Sequence, residues 1–198
     1  MSRIYLIAAC ICLVATILCF KANEPNRNAI NAAMVKKGLL TPERMWPYYD
    51  ADYLNEFIKT ANQEQALGVS AMALYIRPTL LWIDVGFAIF CASFAALFWL
   101  GIANVLPNHL PVVNHLMAFL IAMSVVYGIT DVAEDLWLVK LFSQDHQVTK
   151  IEGFAACALT ETKIVTISVS VVGGLLFKAL DATFSKPTAG DQMPAKGS

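Results

Sequence analysis

The stretch His115–Phe142, HLMAFLIAMSVVYGITDVAEDLWLVKLF, decides how this chain is read. Its first half is almost unbroken apolar sequence, and the whole exceeds the roughly 20 residues a bilayer-spanning helix takes. Yet Asp131, Glu134 and Asp135 fall within about one helical turn of it. A carboxylate near a bilayer centre costs roughly 2.5 kcal/mol or more. Such groups persist where they face a bundle interior, a water-filled cavity or a positive partner. The stretch therefore reads as a membrane helix with a deliberately polar face.

The rest of the chain supports a membrane setting. Of 198 residues, 58% are hydrophobic and 15% charged, against about 25% charged in average soluble domains. The mean hydropathy is +0.59. Three further apolar runs join the first, so the expected spans are about 4–20, 79–103, 115–142 and 162–180. Pro78 is expected to open the second. The expected fold is all-α: a four-span transmembrane bundle over residues 1–181, with a helical extramembrane region at 21–77 and a disordered polar tail at 182–198.

The first run, from Ile4 to Phe20, lacks a small-x-small cleavage pattern, since Cys19-Phe20-Lys21-Ala22 places bulky and charged residues there. It is expected to stay as an uncleaved membrane helix. Cys10, Cys12, Cys19, Cys91 and Cys157 form no Cys-x-x-Cys pair and are read as small buried hydrophobes.

Within 21–77, Ala29, Ile30, Ala33 and Met34 make a short amphipathic stripe ending at Gly38. Thr41-Pro42-Glu43 reads as a helix start, and Asp52 as the cap of a helix carrying Leu54, Phe57, Ile58 and Ala61 at i, i+3, i+4, i+7. Trp46-Pro47-Tyr48-Tyr49 has the character of an interfacial aromatic cluster. The region is expected to contain helices and no strands.

Alternating helix direction brings the ionisable residues to one depth. Asp84 lies early in the second span, Asp131, Glu134 and Asp135 late in the third, and Lys163 at the start of the fourth. All belong to the half of the bilayer nearest residues 21–77. Asp131, Glu134 and Asp135 share a face at i, i+3, i+4, extended by Tyr127. Lys163, Thr166, Ser170 and Gly174 line one face of the fourth span. Lys163 is the natural counter-ion for Asp131 or Glu134. The candidate site or polar network is thus Asp84, Tyr127, Asp131, Glu134, Asp135 and Lys163.

Several function classes lack support. A net charge of −1 and the absence of a basic, aromatic-interleaved patch give no reason to expect a nucleic-acid partner. His109, His115 and His146 sit at links, so neither haem nor another cofactor is expected, and no metal site. No Gly-x-Ser-x-Gly, His-Glu-x-x-His or phosphate-cradling loop occurs. The two halves are not alike, which leaves an inverted-repeat transporter unsupported.

The layout of an uncleaved first span, a helical loop, Asp84 in span two, Asp131-x-x-Glu134-Asp135-Leu136 in span three and Lys163 opening span four resembles a family of bacterial four-helix integral membrane proteins. These carry an Asp-x-x-Glu-Asn-type motif in the third span; Asp135 stands where their motif has the amide. The resemblance implies architecture and a bacterial inner membrane, and no particular activity.

Two readings of the polar residues follow. One is a structural or accessory membrane subunit, seated in lipid and able to pair with another membrane protein or a second copy, whose buried charges set helix register. It is favoured because no recognised catalytic motif accompanies the charges. The other is a membrane enzyme or small-ligand binder using Asp84, Asp131, Glu134 and Lys163. Basic residues Arg3, Lys178, Lys186 and Lys196 lead us to expect both termini in the cytoplasm.

Overall fold

A computed structural model describes residues 2–45, 48–104, 111–144 and 147–184. The fold is all-α and bundle-like, and four of its helical stretches are long and apolar enough to cross a membrane: Arg3–Val35, Ala71–Ala103, Asn114–Phe142 and Lys150–Gly174. This fits an integral membrane protein. Large apolar side chains such as Ile4, Ile11, Leu18, Ile129 and Val165 point outward, a wasteful arrangement in water and a suitable one in lipid.

Helix α1 (Ser2–Val35) is followed by a single 3₁₀ turn at Pro42–Arg44 and helix α2 (Ala51–Gln63). Strands β1 (Gln65–Ala66) and β2 (Val69–Ser70) form an antiparallel hairpin. Helix α3 (Ala71–Leu74) then passes through a π-helical segment, Tyr75–Asp84, into α4 (Val85–Ala103). Helices α5 (Pro111–Phe142) and α6 (Lys150–Phe184) complete the order. Helix α1 packs along α4, α4 along α5, and α5 along α6.

Small residues bring the helices close. A Cβ added to Gly128 of α5 would stand 2.5 Å from the Ala92 Cβ of α4, so the two helices touch at this point. Nearby Ala88 is fully buried. At the end away from the cap, Gly174 of α6 leaves room for the Trp99 ring of α4. There Trp99 Nε1 donates to Ser170 Oγ at 3.1 Å, and Ser170 meets Ser124 at 3.1 Å.

A second apolar core lies at the other end. Ile30 and Met34 of α1, Leu54 and Phe57 of α2, Tyr75, and Leu138, Leu141 and Phe142 of α5 pack together, all buried. The rings of Phe57, Tyr75 and Phe142 lie 5.5 to 5.7 Å apart, centre to centre. Asn55 of α2 donates to the Val148 carbonyl at 3.0 Å and accepts from its N–H at 2.8 Å, which fastens α2 to the α5–α6 link. These pieces form a cap over the bundle end.

Several boundaries differ from those expected from sequence. The stripe at Ala29–Met34 is the continuation of α1, because loss of hydropathy at Lys21 ends an apolar run and not a helix. Gly38 does take a left-handed conformation, with φ 75°, just beyond that helix. Thr41 opens only one 3₁₀ turn, and its side chain caps nothing. Asp50, not Asp52, caps α2, accepting from the Tyr53 N–H at 2.9 Å. Contrary to the expectation of no strands, a hairpin forms at Gln65–Ser70, with φ 52° at Leu67 and 82° at Gly68 suiting its tight turn. Two-residue strands are too short for alternation to show in sequence. Pro78 opens the helix that leads into α4, as expected, and a kink at Arg77 divides that helix from α3. Arg77 is extended (φ −135°, ψ 123°), as residues preceding proline tend to be. Helix α6 starts at Lys150, well ahead of Thr162, because its first turns pack under α2 with Gly153 against Ala51. It extends to Phe184, past the expected end. Trp46, Pro47, His109, His146 and residues 185–198 of the expected tail lie outside the described residues.

Candidate functional site

Between the two apolar cores lies a cavity of about 230 Å³. Helix α5 supplies Tyr127, Asp131, Glu134, Asp135 and Leu138; α6 supplies Lys163. Asp84 and Leu80 come from the π-helical segment and Phe87 from α4. Helix α1 contributes Phe20, Asn23 and Arg27, and the turn before α2 contributes Glu43, so the cavity reaches the cap.

Lys163 joins two of the acids. Its Nζ lies 2.9 Å from Asp131 Oδ1 and also forms an ion pair with Glu134 Oε2. The sequence left open which of the two was its partner; it takes both, since i, i+3 spacing puts them on one face of α5. Glu134 is 1% exposed, Asp135 4% and Asp131 7%. The other oxygen of Glu134 accepts a hydrogen bond from Thr160, one turn before Lys163 on α6. Thr160 Oγ1 also lies 2.9 Å from the Tyr49 hydroxyl. A threonine hydroxyl has one proton, so with Thr160 donating to Glu134, Tyr49 donates to Thr160. Burial pushes the Tyr49 phenol well above its usual range and keeps it a donor. A hydrogen-bonded chain thus runs from the cap to the Lys163 cluster.

The remaining acids are held differently. Asp84 Oδ1 accepts from Asn23 Nδ2 at 2.8 Å, which ties α1 to the start of α4. Glu43 accepts from the Tyr75 hydroxyl. Asp135 Oδ2 is buried without a hydrogen-bond partner, and so is Asn23 Oδ1.

No protein-family model, curated protein or solved structure matches this chain. The chemistry of the cavity must therefore speak from its own residues. The structure brings Asp84, Tyr127, Asp131, Glu134, Asp135 and Lys163 to one cavity. It separates the lower part of the α6 stripe from them. Thr166 bonds to the carbonyls of Thr162 and Lys163, and Ser170 belongs to the Trp99 contact. Arg77 and Glu161 are exposed and absent from the lining.

Sequence reasoning missed Asn23, Arg27, Glu43, Tyr49 and Thr160. A signal for the first two existed: Phe20, Asn23, Arg27, Ile30 and Met34 keep one helical face beyond the apolar run. Thr160 stands three residues before Lys163 and shares its face in the same way. Nothing local marks Glu43 or Tyr49, which arrive by tertiary packing of the cap.

Proposed function

We propose that this protein is a multi-pass membrane protein whose polar cavity binds a small cation. The charge of the lining carries this reading: five carboxylates face two cationic side chains, Arg27 and Lys163. Two buried acceptors, Asn23 Oδ1 and Asp135 Oδ2, add to it by lacking donors. Leaving a buried polar atom unpaired costs roughly 1–3 kcal/mol. A network built only to fix helix register gains nothing from that cost. A positively charged ligand supplies what both acceptors lack.

We place the protein in the bilayer of a bacterial inner membrane, with the cap outside and the termini in the cytoplasm. The resemblance to bacterial four-helix proteins and the basic residues near the termini support this placement.

A second reading, a structural or accessory subunit, is favoured by one observation. The ion pairs and hydrogen bonds joining Asp131, Lys163, Glu134, Thr160 and Tyr49 cross-link α5, α6 and the cap. Thermal unfolding of the purified chain in lipid nanodiscs separates the two readings. Small alkylammonium ions and diamines should raise the midpoint saturably, because a ligand of the folded state stabilises it by mass action. Carboxylates of matched size should not, and Asp84→Asn should weaken the cation effect. If no cation of any kind moves the midpoint, the structural reading is left standing.

A further inference from the structure

We propose that Asp131, Glu134 and Asp135 hold a divalent metal ion of the hard, oxygen-preferring kind: magnesium, calcium or manganese. This rests on reading the cavity as a cation site, and it names the cation. Each of the three carboxylates offers an oxygen, and these oxygens lie within 4.8 Å of one another. That spacing lets a single ion touch all three, at the 2.0 to 2.6 Å such cations take from oxygen, roughly. The arrangement follows from sequence, since i, i+3, i+4 positions converge on one helical face.

An acidic cluster alone would be no site. Here a separate element points at the same space. Asn23, on α1, is 1% exposed and lines the same cavity. Its Nδ2 is committed to Asp84, which leaves its amide oxygen directed elsewhere, buried and with no donor. An amide carbonyl is an ordinary ligand for hard cations. Asp135 Oδ2 is likewise buried and unpaired.

The charge balance fits a divalent ion. Lys163 pairs with Asp131 and Glu134 of this trio and leaves Asp135 without an ion pair among the described residues. Five carboxylates in the lining face Arg27 and Lys163, an excess of three carboxylates that one divalent ion reduces to one. The lining offers oxygen donors and no cysteine or histidine, a set that suits magnesium, calcium or manganese over softer metals. A cavity of about 230 Å³ also has room for the waters such ions retain.

Manganese itself is the probe. The chain, stripped of metal with a chelator and held in lipid nanodiscs, is titrated with Mn²⁺ while electron paramagnetic resonance reports the free ion. One saturable site per chain is expected, emptied by excess Mg²⁺ or Ca²⁺. Asp135→Asn, which removes charge without removing a hydrogen bond seen in the structure, should weaken Mn²⁺ binding at least about tenfold. Asn23→Ala should weaken it as well. Absence of saturable binding by the folded wild-type chain overturns the metal site, and needs no variant. Equal affinity of wild type and Asp135→Asn overturns it too. In either case, alkylammonium ions that still stabilise the same sample keep the cavity as a cation site. Failure of both kinds of cation removes the parent reading along with this one.

Discussion

Lys163 neutralises two acids at once, and each depends on it. Asp131 and Glu134 are both buried, and no other ammonium or guanidinium lies in ion-pair contact with them among the described residues. Removing one partner of a buried pair strands the other, at roughly 3–5 kcal/mol. Lys163→Met should therefore lower stability by about that amount in detergent or denaturant titrations. Asp131→Asn added to it should recover part of the loss. Strictly additive effects in this double-mutant cycle would show that the two side chains do not interact. This cluster was legible in the sequence because helical spacing and antiparallel helix direction suffice to bring these residues together. Glu43 and Tyr49 were not legible, since their place depends on how a polar segment folds back over the bundle.

At the scale of elements, hydropathy marks where a helix is apolar and says little about where it is helical. Helix α1 shows the difference: polar residues from Lys21 onward hid a continuation that carries Asn23 and Arg27 to the cavity and Ile30 and Met34 to the cap. The contact of α4 with α5 is tighter than side-chain packing alone would need. Gly128→Ala places a methyl 2.5 Å from the Ala92 Cβ, in a region where both helices are backbone-close. The expected cost is about 1–3 kcal/mol, the usual range for overpacking. Unfolding of this variant beside a Gly38→Ala control, whose added Cβ meets nothing within 4 Å, separates crowding from backbone strain. An unchanged midpoint for Gly128→Ala would mean that α4 and α5 are not in close contact.

For the whole molecule, four membrane-crossing helices require both ends on one side. Reporter fusions at Asn62 in α2 and after α6 should report opposite sides of the membrane, and agreement between them would remove the four-span arrangement. The number and type of spanning helices were legible in the apolar runs. The cap was legible only as a helical region, because its hairpin and its attachment through Asn55 and Val148 leave no periodic trace. The Lys163 bridge has one more consequence, which concerns the order of synthesis. Asp131 and Glu134 are synthesised before Lys163. A chain ending within the α5–α6 link would present three carboxylates to the bilayer in one helix, without the ammonium that pairs with two of them. The smallest piece that can enter lipid with that charge partly cancelled is α5 and α6 together, as a hairpin.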